Sequence, residues 1–278
     1  MESVRWLQHL FGPGPHTFFL TVTYLGASLV LWTVLVLYHW LIDPEFARRL
    51  AIVMAASVLT HQTLKVVFGT PRPYDLDVTL STESARLTGG GPGFPSGHAM
   101  NAATFWFAFA FRYGGIRLWM AAVLVVSAVA LSRVYLGVHM PADVAGGLVL
   151  GAVFAWAAGR WATPRSVSGS RRLWGPLVGL GSLALAFVAG AEPAACGLLA
   201  GCCLARPAFE PPRTLGGRLA IVLGGAGVLA LLGILLAWLP ERIFPGLTGT
   251  TVAMYFLFLA LALVAFDLWP RVFASMRS

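Results

Sequence analysis

The stretch 132–143, SRVYLGVHMPAD, sets Arg133, His139 and Asp143 close together between two runs apolar enough for a lipid bilayer. Pro141 suits the first turn of a helix, so Asp143 falls in that turn, four residues after His139. A carboxylate so placed accepts the ring N–H of the histidine. That fixes the tautomer and leaves the other ring nitrogen with a free lone pair. Two further clusters have the same character. In KVVFGTPRP, 65–73, Lys65 ends an apolar run and Arg72 follows a Gly-Thr-Pro turn, held out of helical geometry by Pro73. Lys65 is the only lysine in a chain whose other cations are all arginines, which suggests a need for a compact, rotatable ammonium. In GFPSGH, 93–98, Ser96 is placed to cap a helix and Gly97 allows close backbone approach. The free N–H groups of that helix start form an anion site beside His98.

Each cluster alone has an ordinary explanation: a snorkelling lysine, a helix cap, an interfacial polar network. Together they do not. A charge at the bilayer centre costs about 2.5–3.5 kcal/mol on insertion scales, less near the ends. Three cations and two histidines on one face also repel one another. A bound dianion resolves both problems. Lys65, Arg72 and Arg133 would then supply charge-assisted hydrogen bonds to phosphate oxygens. His139, oriented by Asp143, would be a nucleophile, and His98 an acid for the leaving oxygen. Two histidines and an aspartate could ligate zinc, but three neighbouring cations oppose a divalent ion, and no metal is expected.

These clusters need helices to carry them. Of the 278 residues, 58% are hydrophobic and only 11% charged, too few charges to cover a soluble surface. Apolar segments fall near 17–42, 50–68, 97–111, 118–136, 142–159, 173–190, 194–205, 219–239 and 250–268, which predicts nine helices. The first is too long for a signal-peptide core and reads as a retained span. The segment 194–205 is short for a crossing. The net charge of +8 reflects cytoplasmic loops rather than a nucleic-acid partner: with the N-terminus outside, 13 of the 19 basic residues fall on one side. That side is the cytoplasm, the C-terminus lies there, and loop 160–172 belongs to it. The longest loop, 69–96, and all three clusters lie outside. Cys196, Cys202 and Cys203 share one apolar stretch without a CxxC and are expected as free thiols.

Lys65-x6-Arg72-Pro73, then Pro95-Ser96-Gly97-His98, then Ser132-Arg133-x5-His139-x3-Asp143, in that order, resembles the signature of the type 2 phosphatidic acid phosphatase (PAP2) superfamily. The resemblance covers roughly residues 15–190. It implies an all-α polytopic membrane protein with a six-helix PAP2-like core, here 1–190, plus about three extra C-terminal transmembrane helices in 191–278. It implies a metal-independent phosphatase acting through a phosphohistidine on His139, steadied by Asp143, with His98 as acid and then base. Lys65, Arg72, Ser96, the Gly97 N–H and Arg133 would bind the phosphate. The superfamily's vanadium haloperoxidases share the pocket but are soluble. A nine-helix layout looks like the glucose-6-phosphatase branch. Expected substrates are phosphatidate-like lipids, undecaprenyl diphosphate or sphingoid phosphates. The alternatives are a soluble ester such as a sugar phosphate, or a non-catalytic transporter or scaffold. The short loops point to a bacterial plasma membrane. His61, one turn before Lys65, and Asn101, after His98, are candidate supporting residues. Tyr74, Asp75 and Asp77 are placed to shape substrate access, and 3–11 to lie on the interface.

Overall fold

The computed structural model describes residues 1–160, 171–188, 192–206, 209–243 and 247–276. Helices fill every apolar segment, and no strand occurs among the described residues. The chain forms two compact units, Met1–Trp32 with Thr60–Trp161 and Thr33–Leu59 with Ala162–Ser278. The protein is an all-helical integral membrane protein.

The first unit begins with α1 (Glu2–Phe11) and α2 (His16–Thr23). A 3-10 turn, Tyr24–Gly26, then leads into α3 (Ser28–Leu41), bent 49° from α2. The continuous first helix expected over 17–42 is therefore broken. Ala27 is extended, and the carbonyl freed at Leu25 is taken by the Trp106 indole N–H at 3.2 Å. Such a break is tolerated at membrane depth only where protein satisfies the backbone. Next comes α4 (Pro44–Phe68), whose start is capped by Asp43 Oδ1 accepting from the Phe46 N–H at 3.0 Å. The long loop contains two short helices, α5 (Pro73–Leu76) and α6 (Glu83–Arg86), with a 3-10 turn between them.

Three helices follow: α7 (Gly97–Tyr113), α8 (Ile116–Tyr135) and α9 (Pro141–Arg160). Small residues let α9 lie close on α7. A Cβ on Gly147 would come within 2.6 Å of the Ser96 carbonyl, and one on Gly151 within 2.5 Å of the Met100 carbonyl. Ala102 and Ala103 of α7 bury against Val126 and Val129 of α8. Between α8 and α9 the chain turns at Gly137, where φ is +67° and a Cβ would overlap the Leu80 carbonyl, so only glycine fits. The expected interfacial helix 3–11 forms as α1 and docks on the long loop. Arg5 pairs with Asp77 at 2.6 Å, and Gln8 donates to the Leu80 and Tyr135 carbonyls, both at 2.8 Å. Trp6 and Leu10 remain exposed.

The second unit contains α10 (Arg171–Val188), α11 (Pro193–Leu204), α12 (Leu215–Ile243), α13 (Leu247–Leu263), a π-helical turn (Val264–Leu268) and α14 (Trp269–Ser275). Gly197 and Gly201 of α11 sit under the backbone of α13. The carbonyl of Ala265, in the π turn, accepts the Trp40 indole N–H at 2.8 Å. All three cysteines are free thiols.

Among the described residues, five helices are long and apolar enough to cross a membrane, or six if α2 and α3 form one broken span. The nine-span expectation therefore exceeds what helix length and hydropathy support. α7 has 17 residues and carries polar groups at its start, and α11 (Pro193–Leu204) is shorter still, with 12. Residues 161–170, most of the loop assigned to the cytoplasm, lie outside the described residues.

Candidate active site

The predicted site residues all belong to the first unit. Lys65 comes from the last turn of α4 and donates to the Pro92 carbonyl. Arg72 precedes α5 in the extended geometry that Pro73 demands, with φ −85° and ψ 162°. Its backbone N–H is held by Asp75 Oδ2 at 2.8 Å. Its side chain is 1% exposed. Nε and Nη2 donate to the Gly91 and Gly90 carbonyls, both at 2.7 Å, and Nη1 to the Val138 carbonyl at 3.1 Å. The glycine-rich segment thus wraps the two cations. Thr70 staples its far end, its carbonyl taking the Gly93 N–H and its hydroxyl the Phe94 N–H, each at 2.7 Å.

Ser96 stands at the N-cap of α7 but makes no side-chain capping bond, contrary to its expected role. Its hydroxyl is fully buried and has no hydrogen-bond partner among the described residues. Its backbone N–H donates instead to the Asp143 carbonyl at 2.9 Å, tying the start of α7 to the start of α9. Gly97 faces His61, and a Cβ there would lie 3.0 Å from His61 Nε2. His98 follows in the first turn. Asn101 is buried, with its amide donating to Ser28 Oγ at 3.0 Å.

Arg133 closes the cup from the last turn of α8, fully buried. His139 lies in the α8–α9 turn with Nε2 3.5 Å from Arg72 Nη1. Arginine can only donate, so Nε2 is the acceptor in this contact and the ring proton belongs on Nδ1. Nδ1 faces Asp143 Oδ2 at 3.4 Å, longer than a formed hydrogen bond. That oxygen also accepts the Met140 N–H at 2.8 Å. Such contacts shorten when the ring becomes charged during reaction. Burial, then Arg133, Arg72, Lys65 and His98, hold the His139 imidazole well below its ordinary value of 6.5. His139 is therefore neutral at physiological pH, with a lone pair on the nitrogen beside Arg72.

Lys65, Arg72, Arg133, His98 and His139 thus lie within electrostatic reach of one another, with Asp143 the carboxylate among them. Buried donors without partners among the described residues, Ser96 Oγ and Arg133 Nε, belong to the same cluster. The arrangement suits an oxyanion with several acceptor oxygens. Residue types alone did not reveal Thr70, Thr88 or Thr23. Thr88 Oγ1 and Thr23 Oγ1 both accept from Arg133 Nη1, at 2.8 and 2.7 Å. A hydroxyl residue beside GGG was the available signal for Thr88; Thr23 had none. Tyr74 packs its ring against Arg72 and Arg86, with centroid distances of 5.9 and 5.8 Å. Asp77 caps the following 3-10 turn through Thr79, and the Thr79 and Arg5 bonds draw its carboxyl down to about 2.

Fold and site define a helical membrane protein with a buried cationic, histidine-bearing cup. The model of the PAP2 superfamily matches residues 46–166, the stretch that contains all three clusters. Sphingosine-1-phosphate phosphatase 2 of Mus musculus is 32% identical over 135 residues, 46% of this chain and 37% of that protein. The Escherichia coli (strain K12) protein named "Putative undecaprenyl-diphosphatase YbjG" is 32% identical over 128 residues, 45% of this chain and 60% of its own. Glucose-6-phosphatase catalytic subunit 1 of Haplochromis xenognathus is 37% identical over 81 residues, 23% of this chain and 29% of that protein. The matched region spans between about a third and three fifths of these relatives. No solved structure matches.

Proposed function

We propose that the protein is a metal-independent integral membrane phosphatase that hydrolyses a lipid phosphate or diphosphate through a phosphohistidine. The observation that carries this reading is the cup itself: three buried cations and unpartnered buried donors around a neutral His139 backed by Asp143. Lys65, Arg72, Arg133, Ser96 and the Gly97 N–H hold the phosphate oxygens and take up the charge of the transition state. The His139 Nε2 lone pair forms a bond to phosphorus as the P–O bond to the leaving group breaks. His98 gives that departing oxygen a proton drawn onto its ring by the bound phosphate dianion. Asp143 stabilises the positive ring that results. His98 then takes a proton from water, whose oxygen attacks phosphorus. The P–N electrons return to His139 and inorganic phosphate leaves.

Two of the relatives carry names that specify a lipid phosphate or diphosphate, and the site sits at helix ends, where a lipid tail stays in the bilayer while its headgroup reacts. The glucose-6-phosphatase likeness supports a second reading, a soluble sugar phosphate. A panel separates them: purified protein in detergent with EDTA, offered phosphatidate, undecaprenyl diphosphate, sphingosine 1-phosphate and glucose 6-phosphate. Phosphate release from one or more lipids is expected, at least about tenfold faster in kcat/KM than from the sugar ester. The reverse order selects the second reading. No release from any of them overturns both and leaves a transporter or scaffold.

The catalytic residues belong to the 1–190 core, with 191–278 as additional helices, in a bacterial plasma membrane. The basic-residue count puts the cup outside, the N-terminus outside and the C-terminus in the cytoplasm. A cysteine replacing Leu87, 83% exposed in the long loop, should react with an impermeant thiol reagent in intact cells, while one replacing Arg165 should stay shielded. The opposite pattern inverts the topology.

A further inference from the structure

The break in the first apolar segment faces the site. Thr23 ends α2 and its hydroxyl accepts from Arg133 Nη1 at 2.7 Å. Three residues on, a Cβ at Gly26 would come within 2.6 Å of the His98 carbonyl. Two further on, Ser28 Oγ takes the Asn101 amide. The bend that interrupts the segment therefore meets both α7 and α8 beside the residues proposed for catalysis, in a part of the chain without any of the three motifs.

The guanidinium bonds specify what this contact does. Nη1 has two N–H groups, and Thr23 and Thr88 take both. The Thr88 carbonyl takes one N–H of Nη2 at 3.2 Å. The Nε–H and the other Nη2–H remain, on one edge of the planar group, and Nε is buried without a partner among the described residues. A flat two-donor edge matches two oxygens of one phosphate. We propose that Thr23 and Thr88 are positioning residues that anchor one end of Arg133 so that its Nε/Nη2 edge is presented to the substrate phosphate. This rests on the reading of the cup as a phosphate site. Without both hydroxyls the guanidinium swings, the two-oxygen contact is lost, and the phosphate is held less firmly in line with His139.

The test uses the full chain in detergent, comparing Thr23→Val, Thr88→Val and the double variant with the corresponding serine variants. Valine keeps the volume and removes the hydroxyl; serine keeps the hydroxyl. Two readouts are taken: kcat and KM for the best ester of the panel, and binding of inorganic phosphate from the rise it causes in Tm, which needs no turnover. The double valine variant should lose about tenfold to a hundredfold in kcat/KM and weaken phosphate binding by about tenfold. Each single valine variant should show a smaller loss in the same direction, and the serine variants should stay within about threefold of wild type. Valine variants with unchanged phosphate binding and kcat/KM would overturn the proposal while leaving the phosphatase reading intact. Serine variants that fail as badly as valine would also overturn it, assigning the effect to packing of the threonine methyl. Threonine-dependent phosphate binding in a protein that hydrolyses nothing would sustain the positioning role and remove the catalytic reading. A wild type that binds no phosphate would end both.

Discussion

His139→Ala is expected to release no phosphate above background, a fall in kcat of at least about 10⁴-fold, because it deletes the group proposed to bond to phosphorus. Loss of a nucleophile in an enzyme that uses one removes both half-reactions, and what remains is binding and electrostatic stabilisation of direct attack by water. The remaining cup still concentrates phosphate, so KM and phosphate-induced thermal protection should change far less than kcat. The fold should survive. His139 is 2% exposed, but its Nδ1 makes no complete hydrogen bond and its Nε2 has only a 3.5 Å contact to Arg72. Removing the ring loses packing, of the order of 2 kcal/mol for a buried side chain cut to alanine. It also removes a buried polar group that burial, and then three cations, hold in its neutral form, which offsets part of that cost. Tm should therefore move by a few degrees. The measurement is single-turnover phosphate release beside a thermal melt. A folded His139→Ala protein that keeps more than about a tenth of wild-type turnover would remove His139 from the bond-making role.

The parts of this site that were legible in the sequence are those where residue type and spacing carry the constraint. Pro73 holds Arg72 extended, and it is extended. Pro141 suits the first turn of a helix, and α9 starts there, with Asp143, four residues after His139, facing it. Lys65, at the last turn of a long apolar run, points into the glycine-rich loop. Other features depend on contacts between distant segments, which spacing does not encode. The bend at Tyr24–Ala27 lies in a run whose hydropathy is uniform. The Trp106 indole and the Arg133 guanidinium, about 80 and 110 positions later, bond to it there. Ser96 looked like a cap because serine at a helix start usually is one. Here its N–H bonds to the Asp143 carbonyl and its hydroxyl is buried without a partner among the described residues. Amphipathicity identified α1 as a helix, but Gln8 bridging Leu80 and Tyr135 required the loop to be folded first. Hydropathy marked 194–205 as short for a crossing, and the helix there is short. Pro193–Leu204, with 12 residues, is as apolar as its neighbours but too short to cross upright.

Asp143→Asn is expected to lower kcat by about 10³-fold while leaving KM unchanged or lower, a split that distinguishes orientation of the nucleophile from binding of the phosphate. The residue serves three partners. Oδ2 faces His139 Nδ1 at 3.4 Å and accepts the Met140 N–H at 2.8 Å, while the main-chain carbonyl accepts from Ser96 at 2.9 Å. Asparagine keeps the third bond, and its amide oxygen can keep the second. That same oxygen position faces Nδ1, so an amide oxygen there leaves the ring proton on Nδ1 but brings no charge, while an amide turned to put NH₂ there would meet the Met140 N–H and favour a bare Nδ1 and a protonated Nε2. In the turned orientation the proton would sit on the atom proposed to attack, and in the contact with Arg72 Nη1 two donors would meet. The variant also loses the negative charge that steadies the imidazolium once the P–N bond forms. Meanwhile the cup loses its nearby carboxylate while keeping Lys65, Arg72 and Arg133, so its attraction for a phosphate dianion rises. Inorganic phosphate should therefore inhibit the variant at least as well as it inhibits the wild type. A variant whose phosphate affinity falls in step with its rate would show that Asp143 holds the cup together rather than aiming His139. One that keeps wild-type kcat would show that the tautomer is set elsewhere.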